Sequence, residues 1–397
     1  MIDTKKFKTS SEIIPMQMPR VNGNNQHIAK TIIGLDVGYS SVKGISPVRA
    51  FIFPSYAKLA PKGLEVVGRV NKYDIQYKDN KTGEIWLVGQ AAESLIDQVD
   101  LDSTTDASLF NRHRYDSPIF KVLAGCGLAL GLWGTGEGNE IFVQTGLPSN
   151  YKGQDDEKLL KALMGDYDIS IKVGAGDWVN FKFNLDREHI FIMEQPQGTL
   201  VAAAYKNGSP TEDGKKMMMS NSLIYDIGFN TEDIFQIRAG YKSKSKTYLD
   251  TSMRAVFDMV IEELKDRFPV EYKIFEFQKY LEDGKAPYFD AEAFKTEYID
   301  FADILEEVNQ RLCEKSIKRL VQEYDNLSGY KYLIVSGGTG ESRFMQISKM
   351  LEGFPELHVV PGNVNTPSLP YVFNNVVGYY TYRHNIVQKQ LKDGVLS

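Results

Sequence analysis

The chain has 397 residues, of which 42% are hydrophobic, so it can bury a substantial core. Its length suits two lobes better than one. The net charge of −6 argues against a protein that coats nucleic acid over its whole surface, and any DNA contact is expected through a partner.

Cysteine usage and hydropathy limit the class and compartment of the protein. Cys126 and Cys313 have no second Cys or His at metal-ligand spacing and are interpreted as reduced core residues. No apolar window reaches the length of a membrane span, and no apolar stretch follows the N-terminal lysines. The longest apolar run, residues 122–133, predicts a buried helix. A cytoplasmic protein with no membrane contact is therefore expected.

The first half of the chain predicts strands with helical insertions. Residues 1–30 are polar and predict either a disordered tail or an arm that orders against a neighbouring subunit. Expected after them are strands in 34–54, a hairpin in 74–88, a helix over 117–131, a strand over 143–147, a helix over 155–164, and strands over 181–185 and 189–193.

The second half predicts a helix over 198–206, strands over 223–225 and 234–237, and long helices over 252–267 and 302–324. An aromatic region at 272–298 predicts a small inserted subdomain. The run KSKSK at 242–246 resembles a basic binding loop, although a hairpin tip between Ile237 and Leu249 explains it without function.

Residues 32–45, IIGLDVGYSSVKGI, bring an aspartate, a glycine turn, two hydroxyls and a lysine to one point. A strand that ends in such a turn presents N–H groups, hydroxyls and an ammonium to a ligand, and polyphosphate is the commonest ligand of this kind. Asp36 is a natural anchor for the accompanying magnesium. A plain hairpin with a surface lysine is the alternative.

Two later segments resemble this one. Residues 223–235, LIYDIGFNTEDIF, repeat the pattern and suggest an internal duplication, with Asp226, Gly228, Asn230 and Thr231 in the places of Asp36, Gly38, Ser40 and Ser41. Residues 332–344, YLIVSGGTGESRF, run a third apolar strand into Gly337, Gly338 and Gly340. These glycines permit positive φ and close approach of the backbone to a ligand.

In this order, the three motifs resemble the phosphate-1, phosphate-2 and adenosine motifs of the actin superfamily of ATPases. The closest likeness is to the ParM-type actin-like proteins of bacterial plasmid segregation, and it covers roughly residues 31 to 385. Supporting fragments are FPS at 53–55, VGQAA at 88–92, TGLP at 145–148, EQPQGTLVAAA at 194–204 and FNNVVGYY at 373–380. The resemblance implies an α/β, actin-like fold, a duplicated ribonuclease H-like architecture of two lobes with an interlobe nucleotide cleft.

The resemblance also implies domain boundaries. Residues 1–30 form an N-terminal extension. Lobe I covers 31–195, with an inserted subdomain at about 50–120. Lobe II covers 196–397, with an inserted subdomain at about 240–325 and a C-terminal helix that returns to lobe I.

The family's nucleotide contacts imply which residues bind ATP here; use of GTP stays open. The two turns would hold the phosphates, and the third motif would hold the adenosine. The implied cofactor-binding residues are Gly38, Tyr39, Ser40, Ser41, Lys43, Gly228, Phe229, Asn230, Thr231, Gly337, Gly338, Thr339, Gly340 and Arg343. Asp36 and Asp226 would hold Mg²⁺ through its waters.

Arg311, Lys315 and Lys318 are spaced to share one helix face. One of them could reach the ribose or base, and all three could equally be surface charges.

Hydrolysis needs a water positioned in line with the γ-phosphate. Alignment of EQPQGTLVAAA with its family counterpart places Gln195 at the water-positioning site, with Glu194 and Gln197 as fallback candidates and Asp226 as an assisting base. The alternative is that Gln195 only begins a helix. Many bacterial relatives carry an acidic residue at this site, and this chain does not.

The resemblance implies an ATPase that assembles head to tail into dynamic filaments, with hydrolysis weakening the polymer. Such filaments move plasmids through a DNA-binding adaptor protein on a centromere-like site, without direct sequence-specific contact between filament and DNA. The rivals are a monomeric sugar or acetate kinase of the same superfold and a DnaK-type chaperone. No motif suggests the kinase's acceptor-activating carboxylate, and the chain ends shortly after Tyr380, without room for the chaperone's substrate-binding domain.

Overall fold

The computed structural model describes residues 3–21, 30–61, 63, 70–96, 114–136 and 138–396. The chain divides into two compact units. We call residues 9–211 and 373–397 the first unit, and residues 1–8 and 212–372 the second unit. Parts of the predicted N-terminal extension and of the subdomain predicted at about 50–120 lie outside the described residues.

The described elements of the first unit comprise thirteen strands and five helices. The strands are β1 Glu12–Pro15, β2 Lys30–Val37, β3 Ser41–Ile45, β4 Arg49–Pro54, β5 Ala57–Leu59, β6 Ile75–Asp79, β7 Ile85–Val88, β8 Glu140–Leu147, β9 Gly165–Val173, β10 Val179–Leu185, β11 Ile190–Glu194, β12 Tyr205–Lys206 and β13 Ser209–Pro210. The helices are α1 Gln90–Glu93, α2 Pro118–Leu132, α3 Asp156–Leu163, α4 Gln195–Ala204 and, near the C-terminus, α10 Asn374–Lys392.

The described elements of the second unit comprise seven strands and five helices. The strands are β14 Ser222–Ile227, β15 Glu232–Arg238, β16 Tyr241–Tyr248, β17 Lys285–Asp290, β18 Lys295–Asp300, β19 Tyr332–Ser336 and β20 His358–Pro361. The helices are α5 Glu212–Met219, α6 Met253–Arg267, α7 Ile274–Tyr280, α8 Ala302–Glu323 and α9 Gly338–Met350.

A six-stranded sheet in the order β1-β4-β3-β2-β8-β11 forms the centre of the first unit. Side chains of β2 alternate between its faces, as strand geometry requires. Ile33 and Leu35 face α2, where Gly131 and Gly127 leave them room. Gly34 faces α10, because a Cβ there would lie 2.4 Å from the carbonyl oxygen of Val376. The fully buried strand therefore has a helix on each face.

The sheet of the second unit repeats this topology. Its order is β16-β15-β14-β19-β20. As in β4-β3-β2-β8-β11, the first three strands pair antiparallel and the last three pair parallel. The same order and directions in both sheets agree with the duplication suggested by the two aspartate–glycine turns.

Each unit also carries an additional β structure. In the first unit, a five-stranded sheet has the order β10-β9-β6-β7-β5. In the second unit, β17 and β18 form a hairpin beside α7, and a buried cluster from α6, α7, α8 and this hairpin forms a separate core. The predicted hairpin in 74–88 is present as β6 and β7. The aromatic region at 272–298 falls in the α7–β17–β18 segment.

The prediction of a disordered N-terminal tail is wrong for residues 3–21. In the second unit, Thr4 Oγ1 donates to the carbonyl oxygen of Leu281 at 2.7 Å, and Phe7 packs against the core cluster of α6, α7 and α8. In the first unit, β1 pairs antiparallel with β4, and the hydroxyl of Tyr380 donates to the carbonyl oxygen of Pro19. A polar composition did not reveal these few contacts.

Two predicted boundaries also differ from the structure. The units meet in sequence at 211/212 instead of 195/196, because α4 packs against α10 in the first unit. A Cβ on Gly378 of α10 would lie 1.8 Å from the carbonyl oxygen of Gly198, so glycine allows this close crossing. The run at 242–246 lies within edge strand β16 and is not a hairpin tip, because the turn comes earlier, at Ala239 and Gly240.

Cys126 and Cys313 are buried free thiols, and burial raises the pKa of each. No helix among the described residues is long and apolar enough to cross a membrane.

Candidate functional site

The first turn joins β2 and β3 in a regular antiparallel register. Asp36 pairs with Lys43, Val37 pairs with Val42, and residues 38–41 make the turn. Asp36 is 3% exposed, and its Oδ2 lies 2.8 Å from Lys43 Nζ. The strand pairing thus brings the predicted metal ligand and the predicted phosphate-binding lysine together.

Hydrogen bonds within and behind this turn fix its backbone. The N–H of Gly38 donates to the carbonyl oxygen of Ser41 at 2.9 Å, so this amide closes the turn. Ser55 donates twice, from Oγ to the carbonyl oxygen of Gly38 and from its N–H to that of Ser40. Ser55 belongs to the fragment FPS, which the sequence singled out without assigning it a role.

Gln195 and Glu194 lie where β11 runs into α4. Gln195 Nε2 donates to Asp36 Oδ1 at 3.2 Å, so the predicted water-positioning residue reaches the aspartate of the first turn. Glu194 is buried and caps the helix. Its side chain accepts from the N–H of Gln197, whose side chain accepts from the N–H of Glu194. This capping box gives both fallback candidates a structural task.

The second turn joins β14 and β15 in the same way as the first. Asp226 pairs with Asp233 along the strands, and the N–H of Gly228 donates to the carbonyl oxygen of Thr231 at 2.8 Å. Asp226 is 7% exposed. Equivalent backbone bonds, with an aspartate at the same distance before each glycine, make the two turns structural counterparts.

The second turn is also held from behind. Thr339 Oγ1 donates to the carbonyl oxygen of Gly228 at 3.0 Å, and the N–H of Arg254 donates to that of Phe229 at 2.8 Å. Arg254 also donates from Nη1 to Asn230 Oδ1 at 3.2 Å. Phe229 packs against Phe257, with ring centroids 5.9 Å apart. Thr339 thereby connects the third motif to the second turn.

Glycines of the third motif allow β19 to pass directly into α9. Gly337 has φ +81° and ψ 156°, and a Cβ there would lie 2.2 Å from the carbonyl oxygen of Ile227. Gly338 begins α9, and Gly340 lies against Val335. The motif therefore brings a helix N-terminus beside the second turn, an arrangement suited to anion or nucleotide binding.

Arg343 has a structural role instead of the predicted nucleotide contact. It is only 1% exposed, and its Nε and Nη1 donate at 2.8 Å to Asn309 Oδ1 and to the carbonyl oxygen of Thr251. Its guanidinium holds α9 to α8 and to the start of α6. A residue with these contacts is not available to a ligand at the surface.

The predicted cations of α8 are paired with carboxylates. Arg311 lies 2.8 Å from Glu263, Lys315 lies 2.8 Å from Asp250, and Lys318 lies 3.5 Å from Glu314. The side chains border an open cavity of about 610 Å³. These pairs favour the surface-charge alternative over a contact with ribose or base.

Magnesium was predicted at Asp36 and Asp226. The described residues contain no group of three or more His, Cys, Asp or Glu side chains that could hold a metal ion. Each turn instead follows one buried carboxylate. Mg²⁺ binds proteins through one or two carboxylates and keeps several of its waters, so hard oxygen donors of this kind fit the ion.

Comparison with protein families assigns part of the chain. Residues 34–198 match the model of the actin like proteins N terminal domain. None of the curated proteins compared with the chain matches it.

Solved structures match nearly the whole chain. A pCBH ParM non-polymerisable quadruple mutant is 20% identical, covers 89% of this chain and 99% of its own, and superposes with a TM-score of 0.66. A ParM from a 15-stranded filament of Clostridium botulinum is 19% identical, with coverages of 91% and 99% and a TM-score of 0.62. Ta0583, an archaeal actin homolog in complex with ADP, is 14% identical, with coverages of 89% and 99% and a TM-score of 0.58.

The chain therefore has an actin-like fold of mixed α/β content, as the sequence predicted.

Proposed function

We propose that this actin-like chain is an ATPase that assembles head to tail into dynamic filaments, with ATP and Mg²⁺ as cofactors. The observation that carries the proposal is the pair of matching turns. Each follows a buried aspartate, closes through a glycine N–H and occupies the same place in one of two equivalent sheets. Such a pair suits a polyphosphate and its metal, as in the family that the motifs resemble.

In this proposal, each turn binds phosphate groups of ATP. Lys43 adds a positive charge at the first turn, and Asn230 and Thr231 add polar groups at the second. Asp36 and Asp226 would hold Mg²⁺, which would supply neutralising charge at the phosphates.

Gln195 orients the attacking water, and its hydrogen bond to Asp36 supports this role. An amide orients water without acting as a strong base, so Asp226 is the assisting group.

Assembly follows from a heterologous contact between copies. A head-to-tail contact that does not close into a ring generates an open filament. The Clostridium botulinum relative of the same fold is a ParM filament, and the archaeal relative is in complex with ADP. We propose that these filaments segregate plasmid DNA in the cytoplasm through an adaptor protein on a centromere-like site.

Phosphate release and light scattering after addition of Mg-ATP test the proposal directly. The wild-type protein should release phosphate and scatter more light. Asp36→Ala and Asp226→Ala should each abolish turnover, because each removes a carboxylate from the metal–phosphate centre. Asp213→Ala, at an exposed residue that pairs with Lys216, is the matched control and should behave as wild type.

Normal phosphate release by Asp36→Ala or Asp226→Ala would refute the site. ATP turnover without any scattering would refute filament formation and favour a monomeric kinase-like enzyme.

A further inference from the structure

Three carbonyl groups of the first turn accept hydrogen bonds, two from Ser55 and one from Arg114. In a trans peptide the C=O and the following N–H point in opposite directions. The carbonyl oxygens of Gly38 and Ser40 accept from Ser55. The N–H groups of Tyr39 and Ser41 therefore point away from Ser55, and their direction depends on these carbonyls staying in place.

The third carbonyl, that of Val37, accepts from Arg114. Arg114 Nη2 donates to it at 2.6 Å, and the guanidinium lies 4.1 Å from the centroid of the Tyr39 ring. Arg114 belongs to a 3₁₀ helix, Arg114–Asp116, directly before α2. One side chain thus fixes the residue before Gly38 and the residue after it.

Arg114 is a buried cation that has no acidic partner among the residues that the structure describes. It is 8% exposed, and its Nε has no hydrogen-bond acceptor. No carboxylate of the described residues forms an ion pair with it. Burial of a charge that lacks a counter-charge is costly. The rings of Tyr39, Tyr115 and Phe120, whose centroids lie 4.1, 5.6 and 5.7 Å from the guanidinium, offset part of this cost, and a bound anion beside the turn would offset more of it.

We infer that Arg114 is a positioning residue of the first turn, where it holds the Val37 carbonyl and the Tyr39 ring in place and adds positive charge beside the turn that binds a polyphosphate. This inference rests on the proposed function. It assigns to Arg114 the recognition of phosphate groups and no part in recognition of the adenosine.

The test measures affinity for Mg-ATP, Mg-ADP and adenosine in Arg114→Gln, Arg114→Lys and the wild type. Arg114→Gln removes the charge and the stacking on Tyr39. It should lower the affinity for ATP and for ADP at least about tenfold, as expected when a charge-assisted contact is lost. Arg114→Lys keeps the charge without the planar fork and should restore part of the affinity. Adenosine affinity should stay unchanged in both.

Arg49→Lys is the matched control. Arg49 lies in the same unit, with its guanidinium 5.2 Å from the centroid of the Trp133 ring. Arg49 begins β4, whereas Pro54, which pairs with Ser41 of the first turn, ends it. It should bind all three ligands as the wild type does.

Equal ADP affinity in Arg114→Gln and the wild type would overturn the inference. Loss of adenosine affinity by the same factor as ADP would also overturn it, since this pattern marks a general structural defect. If the wild type bound neither ATP nor ADP, the proposed function would fail and the inference with it.

Discussion

A substitution of Gln195 tests its proposed part in hydrolysis separately from the stability of the fold. Its amide reaches Asp36, and the backbone hydrogen bonds that close the two turns do not involve it. Gln195→Ala should slow ATP hydrolysis by about 10²-fold, the effect of a misplaced reactant, with nucleotide binding and assembly retained. Phosphate release and filament lifetime after ATP depletion measure this, and the filaments should persist.

Gln197→Ala is the matched control for Gln195→Ala. It removes the capping-box partner of Glu194 and should cost about 1 kcal/mol of stability with normal turnover. Slow hydrolysis in Gln197→Ala combined with normal hydrolysis in Gln195→Ala would reverse the assignment.

At Gly337 both the backbone conformation and the surrounding space restrict substitution. Its φ and ψ lie in a region that is essentially restricted to glycine, and a Cβ would meet the carbonyl oxygen of Ile227 at 2.2 Å. Gly337→Ala should lower the free energy of unfolding of the second unit by roughly 2–6 kcal/mol. Gly353→Ala, where a Cβ meets nothing within 4 Å, should be nearly neutral in the same denaturant titration. Similar midpoints for both variants would contradict this account.

The turns of the three motifs could be predicted because the residues that form them are adjacent in the sequence. An aspartate, a glycine and hydroxyls within one turn are read from adjacent positions. The contacts of Arg343 and Arg114 could not be predicted, because they depend on residues far along the chain, such as Thr251 and Val37. The same applies to Arg311, whose partner Glu263 lies on another helix.

Among the elements, the crossing of α4 and α10 determines where the first unit ends. Gly378→Ala would place a methyl group 1.8 Å from the carbonyl oxygen of Gly198. The helices would separate, and the first unit should lose about 1–3 kcal/mol of stability. Lys389→Ala, at an exposed residue of the same helix, is the control for a change in α10. A midpoint temperature of thermal unfolding that is the same for Gly378→Ala and the wild type would show that the helices can separate without loss of stability.

Element predictions succeeded where periodicity and turns were strong. The two long helices of the second unit and the strands around the turns are present. The run at 242–246 was misassigned, because alternating Lys and Ser fit an exposed edge strand as well as a loop. Strand β1 was missed, because four residues on a sheet edge leave little pattern to detect.

At the scale of the whole molecule, the proposed coupling between ATP and assembly follows from linkage. If the turns bind phosphate groups, the γ-phosphate, which ATP has and ADP lacks, favours the conformation that binds it. A contact between copies that fits this conformation must favour the ATP state in return.

Sedimentation over a series of protein concentrations tests this central claim most directly. The critical concentration should be lower with a non-hydrolysable ATP analogue than with ADP, by a factor of roughly 5–150, the usual range of such coupling. Equal critical concentrations in the two nucleotides, or no pelleted protein in either, would contradict nucleotide-dependent assembly.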